Sequence, residues 1–392
     1  MKRFLITFFA FMLTYVPAHA ENFGASAIIS FTPRKITSTV AKGMADPFAK
    51  RALTADDPVR IASVSKLIVA LGVMRLVDAG KLNLDSDVSD YLGWRLRNPA
   101  FPDTVITLRF LLSHKSSLND NIDYAIPLGS TVQASAADPK AWDSAHPPGA
   151  YFRYANLNFP VIASVMEAAT GERFDGLMAR LVFKPLKLDA CFNWSTCTDA
   201  TVSRAVVLTD GTGAVRRDNL QGKRPACMVV PTTDGSCDLS SYKLASNGAL
   251  FSPQGGLRIS ARGLATIGQM LLKRGRGFLK RTSFKIMTSP LWRYDGVNGD
   301  TEGGFWCSYG LAVQTLASGA VGCKDDPFGD NRQRLGHPGE AYGLRSGLWI
   351  DPKRGTGTAY FITAVADNAA KGRSAFNAVE EALLLGQTKA RE

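Results

Sequence analysis

The run Leu67-Ile68-Val69-Ala70-Leu71-Gly72-Val73-Met74 is apolar at every position, and it constrains the fold more than any other stretch of the chain. A surface helix shows one apolar stripe and one polar face, so a helix apolar all round has to be enclosed by other elements. The run continues to about Asp78 and meets Gly80, a residue suited to the left-handed turn after a helix C-terminus. The spacing therefore predicts a buried, central helix. Its mouth is polar: Ser63-Val64-Ser65-Lys66. Either serine reads as an N-cap. Lys66 needs another reason, because a cation at a helix N-terminus opposes the macrodipole and is costly when buried.

One answer is chemical. Ser63 and Lys66 are three residues apart, hence on one helix face and one turn apart. An amine placed there takes the serine proton and makes the hydroxyl a nucleophile. That requires a neutral lysine, with a pKa below the usual value of about 10.4. Burial and the helix N-terminus both act in that direction, and the same N-terminus offers N–H groups to an oxyanion. A second match, Ser240-Ser241-Tyr242-Lys243, lies in a polar, cysteine-containing region with no apolar helix after it.

Two further elements stand out. Tyr154-Ala155-Asn156 precedes a helix expected over about Asn158 to Ala169 and ended by Gly171. A phenol there serves as acid or base and an amide binds a carbonyl; the plain alternative is that both cap the helix. Gly336-His337-Pro338-Gly339-Glu340 precedes an expected strand pair, Gly343 to Ile350 and Gly357 to Ala366. His337 at a strand edge puts an imidazole beside a site, and Gly339 lets backbone approach closely. The plain alternative for His337 is packing.

The remaining features bound the class. With 45% hydrophobic and 20% charged residues in 392, the chain is neither disordered, collagen-like nor coiled-coil. The net charge of +12 comes from scattered Lys and Arg rather than dense runs, which points away from nucleic acid. Lys2 and Arg3, the apolar stretch Phe4 to Val16, Pro17 and Ala18-His19-Ala20 read as a secretory signal over residues 1–20, too short to span a bilayer comfortably. Residues 21–392 contain no later apolar run of membrane-spanning length, so no stable membrane insertion is expected after signal removal, and the protein is expected in the periplasm or outside the cell. Six cysteines without a Cys-x-x-Cys pair, and few histidines, argue against zinc and for disulfides. Nearest-neighbour pairing (191–197, 227–237, 307–323) is favoured among the possible connectivities. An α/β-hydrolase is disfavoured, since no Gly-x-Ser-x-Gly elbow is present.

Taken in order, Ser63-Val64-Ser65-Lys66, Tyr154-Ala155-Asn156 and His337-Pro338-Gly339 resemble the three active-site elements of the serine beta-lactamase and penicillin-recognising superfamily. The branch is class C-like, with its D-aminopeptidase, D,D-peptidase and esterase relatives, and the likeness runs from about Gly24 to Leu385. Leu111-Leu112-Ser113-His114, Pro147-Pro148-Gly149 before Tyr151, and Gly255-Gly256-Leu257 also follow the family pattern. The resemblance implies an α+β fold: an antiparallel sheet flanked by helices, with a mostly helical subdomain. The sheet part would comprise about 21–85 and 246–392, and the helical part about 86–245. The first strands would lie within about 25–42 and the last within about 309–366. A C-terminal helix, about Ser374 to Leu385, would pack through Phe376, Val379, Leu383 and Leu384.

It also implies roles: Ser63 as nucleophile, Lys66 as its partner and Tyr154 as the leaving group's proton handler. Asn156, His337 and Gly339 would lie on the substrate side, with the Ser63 and Glu340 backbone as oxyanion donors. No cofactor and no metal are implied. The third element departs from the Lys-Thr-Gly of class C beta-lactamases. Pro338 lacks a hydroxyl and His337 is largely neutral near pH 7, so carboxylate recognition should be weaker. A rival third element, Lys353-Arg354-Gly355, reads as a hairpin turn, and a Glu340 side chain facing the cleft would disfavour anionic substrates. The expected activity is an exported serine hydrolase cleaving an ester or amide of a small-molecule or peptide substrate through an acyl-enzyme on Ser63, with neutral or cationic substrates ahead of penicillins and cephalosporins. The alternatives are a class C beta-lactamase or D,D-carboxypeptidase, and an inactive cell-wall-binding relative.

Overall fold

The computed structural model describes residues 24–389; the expected signal over residues 1–20 lies outside the described residues. The framework is a nine-stranded antiparallel sheet. Its strands are β1 (Ala25–Phe31), β2 (Ile36–Asp46), β3 (Arg51–Ala52), β4 (Trp292–Arg293), β5 (Ser308–Tyr309), β6 (Gln314–Leu316), β7 (Arg334–Ala341), β8 (Leu344–Asp351) and β9 (Thr356–Ile362). The spatial order is β3-β2-β1-β9-β8-β7-β6-β5-β4. An early and a late strand thus pair inside the sheet, with Ser26 opposite Ile362 and Phe31 opposite Gly357.

Alternation along the strands sends side chains to two cores. Ala27, Ile29, Phe31, Leu348, Ile350, Ala359 and Phe361 belong to the main core, shared with helix α1 (Val64–Asp78) and helix α3 (Ala261–Leu272). Ile28, Trp349 and Tyr360 face a second cluster with Phe376 and Leu384, closed by helix α4 (Ala378–Lys389). Val379 departs from the sequence expectation: α4 starts at Ala378, so Val379 falls in its first turn and is 42% exposed, while Phe376 packs from the segment before it. Helix α2 (Asn158–Thr170), ended by Gly171 at φ +68°, and shorter helices such as Leu108–Leu112 and Phe174–Met178 wrap the other side of α1. Every residue from Val64 to Met74 is buried.

The Gly336–Glu340 segment lies inside β7 rather than before the strand pair, and β7 joins that pair as a third strand. Pro338 is tolerated there because β6 stops pairing at Gln314 opposite Gly336, leaving that edge of β7 open further along. Lys353-Arg354-Gly355 forms the β8–β9 hairpin turn, with the Asp351 carboxylate accepting from the N–H groups of Lys353 and Arg354. The disulfides are Cys191–Cys197, Cys227–Cys237 and Cys307–Cys323, the nearest-neighbour set. Among the described residues no helix is long and apolar enough to cross a membrane.

Phe31 is fully buried between two glycines, one on α3 and one on β9. A Cβ on Gly268 would stand 2.2 Å from Phe31 Cζ and 2.9 Å from Leu348 Cδ1. Gly268→Ala should therefore destabilise by about 1–3 kcal/mol through overpacking, outweighing the helix propensity gain of about 1 kcal/mol. Urea denaturation with an unchanged m-value is the check.

Candidate active site

The start of α1 is set by backbone strain and by a neighbouring strand. Ala62 is buried at φ +46°, a left-handed conformation unusual for a residue with a Cβ, and it turns the chain into the helix at Ser63. Ser63 occupies the N-cap position, yet its hydroxyl makes no capping hydrogen bond. Ser65 is not a cap either; its hydroxyl accepts the Leu257 N–H at 3.1 Å and ties α1 to the strand Leu257–Ile259. On the other flank β7 runs hard against this turn. A Cβ on Gly339 would lie 2.4 Å from the Ile61 carbonyl oxygen, 2.4 Å from Ser346 Oγ and 3.1 Å from Ser63 N. The Ser346 hydroxyl donates to the same Ile61 carbonyl at 2.8 Å.

Lys66 is fully buried and its Nζ has three oxygen neighbours: Ser63 Oγ at 3.0 Å, Asn156 Oδ1 at 2.8 Å and the Gln254 carbonyl at 2.8 Å. Burial pulls its pKa down to about 7, against the opposing pull of Asp120 and Glu302. A neutral amine has two N–H groups and one lone pair. The Asn156 amide oxygen and the Gln254 carbonyl can only accept, so they take the N–H groups and the lone pair is left facing the Ser63 hydroxyl.

Asn156 is fixed from behind. The Asp120 carboxylate accepts from its backbone N–H at 2.8 Å, its Nδ2 at 2.9 Å and the Leu157 N–H at 3.0 Å. This arrangement assigns the amide oxygen to Lys66. Tyr154 is held flat between two rings, His114 and Trp306, each with its centroid at 4.3 Å. Its ring centroid lies 4.9 Å from Lys66 Nζ. Its buried hydroxyl has no completed hydrogen bond; burial raises the phenol well above its usual value, partly offset by the nearby Ser63 hydroxyl. His114 accepts the Ala155 N–H at Nδ1 (3.0 Å), so it locks the backbone of this element as well as the ring of Tyr154.

His337 is fully buried behind this layer rather than in the cleft wall. Its Nδ1 is 2.6 Å from the Pro338 carbonyl, which can only accept, so Nδ1 carries the proton and Nε2 accepts from the Tyr309 hydroxyl at 2.7 Å. Burial and the Lys66 charge lower its pKa to about 3, so it stays neutral. The cleft is lined instead by Pro338, Gly339 and Glu340. The Glu340 side chain is exposed but paired with buried Arg345 at 2.7 Å, which offsets its charge.

Two hollows meet at Ser63. One, about 190 Å³, is bounded by Tyr154, Trp306, Glu302 and Arg345. The other, about 710 Å³, is bounded by Tyr124, Gly255, Arg60, Arg217 and Tyr342. Ser63, Asn156 and Glu340 line both, whereas Tyr154 lines only the smaller. The structure thus brings Ser63, Lys66, Tyr154, Asn156, Gly339 and Glu340 together and leaves the second Ser-x-x-Lys apart. Ser240 is exposed and bonded to Asp238 at 2.8 Å, while the Tyr242 hydroxyl donates to the Glu167 carboxylate at 2.5 Å. Asp120, Trp306 and the Gln254 carbonyl were not singled out in the sequence, and no local pattern marks them.

The sheet with flanking helices and the Ser-Lys-Tyr-Asn cluster at its edge define a beta-lactamase-like fold. The chain belongs to the Beta-lactamase family, whose model matches residues 17–382. It is 32% identical over 187 residues to Esterase EstB of Burkholderia gladioli, covering 43% of this chain and 46% of that one. The class C beta lactamase from Rhodobacter sphaeroides superposes with a TM-score of 0.66 at 16% identity, over 95% of this chain and 96% of that one. The D-amino acid amidase from Ochrobactrum anthropi SV3 gives 0.65 at 19% identity, over 95% of both chains. The chain matches under half the length of the curated relatives it resembles.

The Lys66 environment sets a sign for stability against pH. The folded amine titrates near 7 and an unfolded lysine near 10.5, so between those values the unfolded chain binds more protons. Stability of the wild type relative to Lys66→Met should rise with pH from about 7 towards 10 and be flat below 7. Denaturant melts across that range test it.

Proposed function

We propose that the protein is an exported serine hydrolase that cleaves an ester or amide bond through a covalent acyl-enzyme on Ser63. The observation that carries this reading is the Lys66 amine, buried and 3.0 Å from an uncapped Ser63 hydroxyl, with its two N–H groups assigned elsewhere. Lys66 takes the Ser63 proton as Oγ attacks the substrate carbonyl. The N–H groups of Ser63 and Glu340 receive the oxyanion. The proton that Lys66 took is relayed through Tyr154 to the leaving group, which occupies the smaller hollow that Tyr154 lines, and Asn156 holds the acyl side. Water then releases the acyl group by the reverse sequence. Gly339 acts by letting β7 lie against the Ser63 turn, and His337 acts at second hand, holding Tyr309 and the Pro338 carbonyl.

One domain, residues 21–392, carries this chemistry, with its sheet part in about 21–85 and 246–392 and its helical part in about 86–245. The three disulfides support an oxidising compartment, periplasmic or extracellular. Among substrates, esters and amides rank ahead of cephalosporins. No lysine stands in the third element, His337 is neutral and enclosed, and Arg345 is already paired with Glu340.

Intact-mass spectrometry with a serine-directed phosphonate should show one adduct on Ser63, lost in Ser63→Ala and in Lys66→Met. An adduct that persists in Ser63→Ala, or maps to Ser240, contradicts the assignment. For a nitrophenyl ester, kcat/KM should rise with pH through about 7 as Lys66 loses its proton, and it should exceed that for a cephalosporin. A cephalosporin preferred by more than about tenfold, or about 1.4 kcal/mol of transition-state binding, would favour the beta-lactamase reading.

A further inference from the structure

The larger hollow contains a buried cation that, among the described residues, has no ion pair or hydrogen bond of its own. Arg60, three residues before Ser63, is only 9% exposed. Among the described residues its guanidinium makes neither an ion pair nor a hydrogen bond, and its Nε is enclosed without a partner. It lies over the face of Tyr342, 5.0 Å from the ring centroid, and Asp218 attracts it without forming an ion pair. Arg217 packs on the same ring at 4.8 Å and reaches the Tyr342 hydroxyl at 3.4 Å. Tyr342 occupies the β7–β8 hairpin turn at φ +54°, a conformation a bulky residue seldom adopts, and its ring lines the hollow beside both arginines. Burial lowers the Arg60 pKa to about 10 and Arg258 adds to the effect, against the opposing pull of Tyr342 and Asp218.

The neighbouring acids are committed elsewhere. Asp218 holds Arg258 at 2.9 Å and Trp194 Nε1 at 3.0 Å. Glu340 holds Arg345. Asp123 is exposed at the rim and accepts the Ala125 N–H. A buried, unpaired charge is costly unless something neutralises it. A guanidinium lying over a ring keeps its in-plane N–H groups available, and their fork suits a carboxylate.

We propose that the Arg60–Tyr342–Arg217 wall binds a carboxylate carried on the acyl portion of the substrate. This rests on the reading of Ser63 as nucleophile. Tyr154 lines only the smaller hollow, so the leaving group goes there and the acyl substituent extends into the larger one. The expectation that anionic substrates are disfavoured, drawn from Glu340, is thereby reversed for the acyl side, since Arg345 neutralises that carboxylate. A carboxylate on the leaving-group side, as in a cephalosporin, does not reach this wall.

The test compares kcat/KM for 4-nitrophenyl hexanoate with that for the 4-nitrophenyl monoester of adipic acid, which has the same chain length and ends in a carboxylate. The wild type should prefer the anionic ester by about tenfold or more at low salt, and the ratio should shrink as salt is raised. Arg60→Gln should cut the anionic-to-neutral ratio about tenfold, and the more exposed Arg217→Gln should cut it less. A ratio near one in the wild type, or a ratio unchanged by Arg60→Gln, overturns the proposal. If Arg60→Gln does not fold, the Arg217→Gln ratio and the salt dependence decide. Calorimetry of Ser63→Ala with adipic acid monoamide reads the anion site without catalysis. Binding there, alongside esterase activity that survives Ser63→Ala, would leave the anion site standing and remove the nucleophile. Hydrolysis that depends on Ser63 but shows no charge preference would do the reverse.

Discussion

The structure depends on one amine kept out of water. Lys66 projects from a helix that is buried on every side, and a charge there is opposed by desolvation and by the helix N-terminus. The surroundings supply two acceptors that suit a neutral amine and one hydroxyl that donates to it. Each of those groups is fixed from a different part of the chain. Asn156 is held by Asp120, the Gln254 carbonyl belongs to the segment leading into Leu257–Ile259, and Ser63 is turned into place by Ala62. The sheet, α1 and the helical region have to meet at this point for the lysine to be accommodated.

Much of this was legible in the sequence because its signals are local. An all-apolar run announced α1, and Gly80 and Gly171 marked helix ends found at φ +68°. The first strands are expected within about 25–42; β1 lies there, while β2 runs on past that bound to Asp46. Ser63, Lys66, Tyr154 and Asn156 each sit at the mouth of a helix, where short spacings carry meaning. What could not be read depends on tertiary approach. Asp120 matters only because it meets Asn156, and Trp306 only because a disulfide-flanked loop lays it on Tyr154. His337 was found as a residue, but its enclosure by Tyr309 and its own strand sets what it does.

Charge in the cleft shows the same division. By sequence, Glu340 adds a negative charge beside the nucleophile and Arg60 is one of many scattered basic residues. In the fold Glu340 is matched by Arg345, while Arg60 is buried and makes no ion pair among the described residues. Composition gives the sum of the charges; pairing in three dimensions decides which of them face a substrate.

The most direct test of this account is the titration of Lys66 itself. With lysine labelled at 13Cε, the resonance absent from Lys66→Met can be assigned and followed with pH in the resting enzyme. The account predicts a midpoint near 7. A midpoint near the ordinary value of 10.5 would mean that Lys66 stays charged at neutral pH and is not the base that activates Ser63.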